Sequence, residues 1–469
     1  MSMKIKIDHL IQQWSSLDPN DSEANLNAKL TNYFWEYLGF DYTTTPTLEN
    51  RLKPDYIVYD QNQQPLLAVE TKKRTQVLAT KPDNEFIDSC QNHALYKSAV
   101  GEIQNQNGIK QYLDIDNPAG QYGLVFNGDF FQLFRRVDGL IIPLTEIKRF
   151  TAETLPNCLV HLEHYLQQPP KAFIVSMWNR KGGVAKTTNC INIAAVLAKK
   201  GKRVLLVDFD PQVDLTKSLG VDSDPFEDKL TDILDKISAK SPDAETLLKE
   251  TIQTKEFTLD KEQYSLSVFP GNKDTLEYFG EEEGNRDKGN RDKGGYTMQK
   301  KHTALKKLLS LVAEDYDYIF IDTSPKTDIF TSCSLFVADA VIIPSDYDPE
   351  TLRHTSSIRK KFVPIIKKNR HQIDSRKKKN KIEDIGPHIL GVVFSNCPKI
   401  GKKLQLQVDD FLQNKNQIHV YDTELRQYQT TVIAKFKKTP VVFHSPNSAI
   451  SKLYEQLTDE IFFTSRFIN

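Results

Sequence analysis

One run of ten residues, Asn179–Thr188 (NRKGGVAKTT), constrains this 469-residue chain more than any other feature. It directly follows FIVSMW, an apolar run that predicts a strand, and it precedes a predicted long helix. Gly182 and Gly183 let the backbone approach phosphate oxygens, and successive amides at a helix N-terminus bind anions. Lys186 adds a cation and Thr187 a hydroxyl that can ligate Mg²⁺. The run therefore predicts a phosphate-binding loop.

The same run departs from the common GxxxxGK[ST] pattern, because Arg180 and Ala185 stand where glycines are usual. KGGVAKTT instead resembles the deviant Walker A motif, KGGxxK[ST], of the ParA/MinD ATPases. The resemblance implies that ATP and Mg²⁺ are bound, and that Lys181 is the signature lysine, which reaches a partner's phosphates in a nucleotide-sandwich dimer. It assigns catalytic roles to Lys181 and Lys186. The implied nucleotide-binding residues are Lys181, Gly182, Gly183, Val184, Ala185, Lys186, Thr187 and Thr188.

Carboxylates end two further predicted strands. RVLLVDFDPQ places Asp208 and Asp210 at alternate positions, hence on one face of a strand, and YDYIFIDTSP ends a strand at Asp322. The first resembles the DxDPQ element of the ParA family, which implies that Asp210 positions the attacking water and that Asp208 lies near the metal. The second resembles Walker B, whose carboxylate holds Mg²⁺ through a water. Thr187, Asp208 and Asp322 are therefore the predicted metal-site residues.

The pattern from Phe173 onward predicts an α/β fold with a doubly wound, mostly parallel sheet, because apolar strands alternate with helices. The resemblance covers about residues 172–465. Asn396, at the end of the strand ILGVVFSN, is a candidate contact for adenine, and the alternative, a simple turn residue, stays open. Asn272-Lys273-Asp274 is followed by Thr275 and does not complete an NKxD guanine-reading motif, which favours ATP over GTP.

Residues 1–150 predict a separate α+β domain, with a helix before two short strands and a closing hairpin that turns at Asn127-Gly128. Asp55 begins one strand, and Glu70 and Lys72 end the next. This order resembles the PD-(D/E)xK nucleases, most of all the N-terminal domain of type I restriction-enzyme R subunits. The resemblance implies that Asp55 and Glu70 hold Mg²⁺ and that Lys72 activates water. The alternative is a DNA-binding or dimerising domain that has kept an ancestral carboxylate cluster.

A helical linker is predicted at 151–171 between the nuclease-like domain, 1–150, and the ParA-like ATPase domain, 172–469. A dense basic run follows at 359–381, which predicts sequence-independent DNA binding through phosphate neutralisation. A solvated charged face is the alternative. The candidate DNA-contacting residues are Arg359, Lys360, Lys361, Lys367, Lys368 and Arg370.

Five dispersed cysteines argue against disulfides or a zinc ribbon, and no apolar run approaches the roughly 20 residues of a membrane span. The C-terminal segment from Leu453 is acidic and predicts a helix that packs on the sheet, unlike the basic membrane helix of MinD-like proteins. A cytoplasmic, nucleoid-associated protein without a membrane partner is expected.

The leading hypothesis is a ParA-type ATPase that dimerises on ATP, binds DNA non-specifically and acts in plasmid or chromosome partition, stimulated by a centromere-binding, ParB-like partner. The first alternative is an ATP-regulated, Mg²⁺-dependent DNA endonuclease in anti-phage or anti-plasmid defence. A third is an adaptor that positions a non-DNA cargo on the nucleoid. Partition requires the ATPase residues alone, whereas defence requires Asp55, Glu70 and Lys72 to be catalytic.

Overall fold

The computed structural model describes residues 3–468 except 19, 50, 76, 77, 79, 105, 115, 117, 169–171, 223–228, 272–290, 327, 376–384 and 399. Within these residues the strands, in chain order, are β1 Tyr42–Thr44, β2 Tyr56–Tyr59, β3 Pro65–Thr71, β4 Tyr122–Phe126, β5 Phe130–Val137, β6 Leu140–Pro143, β7 Lys148–Arg149, β8 Phe173–Met177, β9 Val204–Phe209, β10 Gln253–Leu259, β11 Glu262–Phe269, β12 Tyr318–Thr323, β13 Ala340–Ser345, β14 His388–Phe394 and β15 Arg466–Phe467.

Helices connect most of these strands. Before β8 they are Met3–Ser15, Glu23–Leu26, Asn32–Leu38, Asp83–Asn92, Ala94–Val100, Ile109–Tyr112 and Leu155–Gln167. After β8 they are Lys186–Lys199, Asp214–Leu219, Lys229–Ser238, Asp243–Thr251, Arg291–Ser310, Ile329–Val337, Pro349–Ser357, Val363–Ser375, Lys402–Asp409, Gln429–Phe436, Val441–His444 and Ala449–Thr458. Short π-helical turns occupy Asn27–Thr31, Ile358–Phe362, Asp410–Asn414 and Asp459–Phe463.

The described residues divide into two compact units. As far as these residues are described, the first holds Met1–Pro169, Asp374–Ile385 and Phe462–Asn469, and the second holds Pro170–Ile373 and Gly386–Ile461. The helix Leu155–Gln167 buries its apolar side chains in the core of the first unit. It is therefore part of that domain, and the predicted 151–171 linker is wrong, because a linker helix would not need a buried face.

The sheet of the first unit has the order β1-β2-β3-β4-β5-β6-β15, and β7 pairs with β5. The predicted hairpin is present: β4 and β5 are antiparallel, and Gly128 has a φ of 81° at the turn. The side chain of Asn127 supports the turn by accepting from the amides of Asp129 (2.8 Å) and Phe130 (2.9 Å). β15 lies parallel to β6, so the last residues of the chain complete this sheet.

The helix that precedes these strands also follows from the sequence. Leu26, Leu30 and Phe34 recur every four residues and are fully buried, and each contributes roughly 1.5–3 kcal/mol to folding by leaving water. The Ser22 side chain caps the start, and Gly39, with a φ of 75°, ends the helix.

The second unit has a seven-stranded sheet in the order β10-β11-β9-β12-β8-β13-β14. Every neighbouring pair is parallel except β10 and β11. The predicted mostly parallel α/β sheet is therefore confirmed. Parallel strands β8, β9, β12, β13 and β14 all present their carboxyl ends at one edge, and this edge positions the functional residues.

The C-terminus departs from the predicted domain bounds. The helix Ala449–Thr458 packs on the helix Lys186–Lys199, where Tyr454 Oη donates to Asn189 Oδ1 at 2.9 Å. The predicted domain end at 469 is wrong, because the residues from Phe462 onward belong to the first unit. Among the helices of the described residues, we find none long and apolar enough to cross a bilayer.

Candidate functional site

The predicted phosphate-binding loop lies between β8 and the helix Lys186–Lys199, at the carboxyl edge of the second sheet. Gly183 has a φ of 78°, which a glycine adopts without strain. Ala185 has a φ of 64° just before the helix, a conformation that is costly for a residue with a Cβ. Open space surrounds the Cα of Gly182 and of Gly183, as a loop that admits phosphate requires. Val184 is buried and anchors the loop.

Two lysines of the loop have different partners. Lys186 is 7% exposed, and its Nζ donates to the carbonyl oxygen of Lys181 at 3.0 Å. The pKa of Lys186 is lowered overall, because the effect of burial exceeds the opposing effect of the nearby Asp322 and Asp210. The Nζ of Lys181 instead lies 2.9 Å from Asp346 Oδ2. The structure therefore points Lys186 at the carboxylates of the site and leaves Lys181 at its rim.

The carboxylates of Asp208, Asp210 and Asp322 interact at the carboxyl edge of the sheet. Asp208 and Asp322 are register partners on the adjacent parallel strands β9 and β12. Asp322 is fully buried, and both of its carboxylate oxygens lack a hydrogen bond of normal geometry within the described residues. Burial, together with Asp208 and Asp210, raises the pKa of Asp322 to about 8, partly offset by the Thr187 hydroxyl and Lys186. A buried carboxylate whose oxygens remain available, close to a threonine hydroxyl, fits Mg²⁺, a cation that takes oxygen ligands.

Asp208 has a structural partner that the sequence did not reveal. Its Oδ2 accepts from both the amide (2.8 Å) and the hydroxyl (2.6 Å) of Thr216, in the helix Asp214–Leu219. Burial raises the pKa of Asp208 to about 6. The Thr216 hydroxyl also accepts from the amide of Gly271 at 3.0 Å. Asp208 therefore fixes the start of this helix, and its predicted place near a metal stays a prediction.

Asp210 lies at the start of the loop that leads into the same helix. Its Oδ1 accepts from the amide of Gln212 at 2.9 Å, and the side chain is largely buried. Burial raises its pKa, and the nearby Lys186 lowers it. Asp210 and Lys186 thus lie close enough to interact electrostatically, and the predicted role of Asp210 in positioning water stays a prediction.

A cleft of about 200 Å³ opens beside the loop. Thr187, Thr188 and Asn396 line one part of it, and the segment Gln427–Lys435 lines another. Asn396 has a φ of 56°, and its Nδ2 donates to the carbonyl oxygen of Gly183 at 3.1 Å. The structure brings Asn396 next to the loop, so its predicted contact with adenine is sterically open and stays a prediction.

Sequence patterns missed a buried polar set that holds the helix Lys186–Lys199. Asn189 Nδ2 donates to the hydroxyl of Ser395 at 2.7 Å, and Asn192 Oδ1 accepts from the amide of Val441 at 2.8 Å. Asparagines within a helix that is otherwise apolar were the available signal, because buried amides require partners. They tie the loop helix to the end of β14 and to the C-terminal helices.

The predicted DNA-contacting residues fall into two groups. Lys360, Lys361 and Lys368 are exposed, and Arg359 and Lys367 are half-buried. Arg370 is 2% exposed, and its Nη2 donates to the carbonyl oxygens of Leu335 and Ala338. The prediction for Arg370 is therefore wrong, because a guanidinium committed to buried carbonyls cannot reach a phosphate backbone. The basic residues 376–381 lie outside the described residues.

The first unit brings its predicted residues together as well. Glu70 on β3 pairs with Lys72, and Asp55 Oδ2 accepts from the amide (2.6 Å) and hydroxyl (2.8 Å) of Thr71. Burial raises the pKa of Glu70 to about 7. The nearby Asp55 also raises this pKa, and Lys72 lowers it. Burial and the nearby Asp55 raise the pKa of Glu23. Three acids and one lysine thus form one electrostatic cluster.

A metal at this cluster would have few protein ligands. Across the part of the chain that the structure describes, no group of three or more His, Cys, Asp or Glu side chains is placed to hold a metal ion. Asp55 and Glu70 are two carboxylates with mutual repulsion, which a divalent cation would relieve. The cluster fits a cation that keeps several waters, as Mg²⁺ does.

Comparisons with known proteins find a family and relatives that are similar to this chain. Residues 172–375 match a family described as an AAA domain. The chain is 27% identical over 288 residues to the sporulation initiation inhibitor protein Soj of Bacillus subtilis, covering 61% of this chain and 97% of Soj. It is 28% identical over 294 residues to a ParA family protein of Chlamydia muridarum, covering 61% of this chain and 96% of that protein. A structure of apo McdA from Cyanthece covers 62% of this chain and 99% of its own, with a TM-score of 0.45 and 15% identity.

The site combines a phosphate-binding loop, the buried lysine Lys186 and the buried carboxylate of Asp322 at the carboxyl edge of a parallel sheet. This combination defines a P-loop ATPase. The part of the chain with this loop is therefore a P-loop ATPase, and it is similar to Soj and to a ParA family protein.

Proposed function

We propose that this protein binds Mg²⁺-ATP, dimerises on ATP binding across Lys181, holds DNA non-specifically as a dimer and acts in plasmid or chromosome partition. The proposal places it in the cytoplasm on the nucleoid, with a ParB-like stimulating partner. The observation that carries it is the buried carboxylate of Asp322, which has no hydrogen bond of normal geometry within the described residues. It interacts with Thr187 and Lys186 of a loop of the KGGxxK[ST] type. Similarity to Soj and to a ParA family protein over almost their whole lengths supports it.

The residues have separate tasks in this proposal. Thr187 and Asp322 would hold Mg²⁺, which supplies charge neutralisation for the transferred phosphoryl group. Lys186 would leave the carbonyl oxygen of Lys181 and pair with phosphate oxygens. A lysine binds the anionic phosphate more strongly than it binds a neutral carbonyl. The amides of Gly182–Thr188 would bind phosphate at the helix N-terminus. Asp210 would orient water for attack.

Asp210→Ala should trap the protein on DNA. Removing the carboxylate that positions water should slow ATP hydrolysis about a hundredfold or more, while ATP binding persists. We expect ATP-loaded Asp210→Ala to stay on a nonspecific duplex after free ATP is removed, measured by fluorescence anisotropy.

The matched control is Asp214→Ala, which removes an exposed acid four residues further along the chain. It should release DNA like the wild type. Release of the Asp210 variant at the wild-type rate would contradict the proposed cycle.

DNA binding is proposed to use the exposed cations of the segment 359–368. Lys360, Lys361 and Lys368 are solvent-exposed and can neutralise phosphates without breaking buried contacts. Arg370 is excluded from this surface because it is buried. Non-specific binding of this kind should weaken steeply as salt rises.

We further propose that the first unit is a PD-(D/E)xK nuclease-like domain. The supporting observation is that Asp55, Glu70 and Lys72 form one cluster with Glu23 at the ends of β2 and β3. A function as a defence nuclease is not favoured, because the similarity to Soj and the ParA family protein concerns the ATPase part.

Incubation of the purified protein with plasmid DNA and Mg²⁺ or Mn²⁺, with and without ATP, tests this domain. If it cuts, the Glu70→Ala/Lys72→Ala variant should lose at least about 99% of the cleavage, since both a metal ligand and the lysine are removed. Lys73→Ala, which removes the exposed neighbouring lysine, should cut normally. Intact DNA, retained only with ATP, would make this domain a binding or docking module.

A further inference from the structure

Two carboxylates hold the signature lysine inside its own subunit. Lys181 Nζ lies 2.9 Å from Asp346 Oδ2 and 3.7 Å from Asp348 Oδ1. We infer that Asp346 and Asp348 are positioning residues that retain Lys181 in the monomer and so set the protein concentration at which the ATP-bound dimer forms. This inference rests on the proposed function, in which Lys181 must reach the phosphates of a second subunit.

The two acids are fixed independently of the lysine. Asp346 directly follows β13, and its Oδ1 accepts from the amide of Asp348 at 3.1 Å. Asp348 is the N-cap of the helix Pro349–Ser357, and its Oδ1 accepts from two amides of the first turn at 2.9 and 3.2 Å. Tyr347, between them, stacks on Phe394 with ring centroids 4.2 Å apart. The carboxylates therefore form a prepared site for a cation.

The backbone of Lys181 is equally fixed, so only its side chain can change partner. Its amide donates to Asn179 Oδ1 at 3.0 Å, a contact that remains when Lys186 moves to the phosphates. Asn179 is buried and donates to the carbonyl oxygen of Pro344 at 2.7 Å. Exchange of Lys181 from its own acids to phosphates of a partner thus requires rotation of the side chain and little else.

The ion pairs of Lys181 with Asp346 and Asp348 are weak, as a reversible change of partner requires. The side chains of Lys181, Asp346 and Asp348 are 37%, 26% and 48% exposed, so solvent screens the pairs. The hydrogen bond that Lys181 donates to Asp346 is the main cause of the raised pKa of Lys181. Pairs of this exposure are weak, but a symmetric dimer must break them twice, so their loss should change the dimer dissociation constant by about tenfold.

The test is the double variant Asp346→Asn/Asp348→Asn, with Glu350→Gln as the control. Asparagine keeps the helix cap and removes the charge, and Glu350 is an exposed acid in the same first turn. With Mg²⁺ and a non-hydrolysable ATP analogue, sedimentation should give the double variant a dimer dissociation constant about tenfold lower than that of the wild type. The control should match the wild type.

A second measurement reports on Lys181 itself and needs no dimer. Acetylation of its amine, followed by mass spectrometry without nucleotide, should be several-fold faster in the double variant than in the wild type or Glu350→Gln. Equal labelling would mean that the acids do not hold the lysine, and would overturn the inference.

The dimerisation outcomes separate this inference from the proposed function. An unchanged or weaker dimer in the double variant, beside an ATP-dependent wild-type dimer, would overturn the inference and leave the proposed function intact. A wild type that never dimerises with ATP would overturn both.

Discussion

Replacement of Lys186 by alanine should reduce ATP turnover by at least about a hundredfold. Lys186 is the buried cation of the site, hydrogen-bonded to the loop and attracted by Asp322 and Asp210. Without it, the site loses the buried cation that opposes the charge developing on the phosphates of its own subunit. Phosphate release at saturating Mg²⁺-ATP measures the effect, and the ATP-dependent rise in Tm expected for the wild type should be lost.

Lys199→Ala is the matched control for this variant. Lys199 ends the same helix and pairs with Glu455, with both side chains partly exposed. Loss of such a pair costs no more than about 1 kcal/mol and leaves the loop intact. Near-normal turnover in this control is therefore expected. Retention of more than about a tenth of the activity in Lys186→Ala would contradict the proposed site.

Asp322→Asn should make the protein more stable and inactive at the same time. In the folded protein without metal, burial raises the pKa of Asp322 from an ordinary 3.8 to about 8. Between these values the folded state holds a proton that the unfolded state has lost, so the free energy of unfolding falls as pH rises. Asparagine is neutral throughout and removes this slope. Since one pKa unit corresponds to about 1.4 kcal/mol, we expect a gain of at least about 2 kcal/mol near pH 9.

Urea unfolding in EDTA at about pH 6 and about pH 9 measures the effect, and phosphate release measures the loss of activity. The control is Asp317→Asn, just before the same strand. Burial raises the pKa of Asp317, but the hydrogen bonds from Arg203 outweigh it and leave the pKa lowered. Its replacement should therefore destabilise the protein at neutral pH. A less stable Asp322→Asn at high pH would show that Asp322 is satisfied in the folded state.

Local sequence was sufficient for the phosphate loop and the carboxylates around it. Lys186 follows a strand and begins a helix, while Asp208 and Asp322 end apolar strands. In a parallel sheet such ends meet at one edge, so residues far apart in sequence converge without any further information. The hairpin at Asn127 followed from turn chemistry in the same way, because a short-range hydrogen-bond pattern defines it.

Contacts between distant segments decided the rest. The charge of Arg370 predicts an exposed side chain, but the side chain is buried. It donates hydrogen bonds to the carbonyl oxygens of Leu335 and Ala338. The helix Leu155–Gln167 has an apolar face that a linker and a core helix share, and only the packing against the first unit distinguishes them. The addition of β15 to the first sheet likewise depends on backbone hydrogen bonds, which carry no residue signature.

The sequence by itself determined the class of chemistry, because phosphate and metal binding need particular side chains at fixed spacings along the chain. The tertiary structure alone decided what those side chains do in the resting protein. It pairs Lys181 with Asp346, which lies 165 residues further along the chain, and among the described residues it leaves the buried Asp322 without a hydrogen bond of normal geometry. Both features arise from where the strands end in space, and no spacing within a motif encodes that.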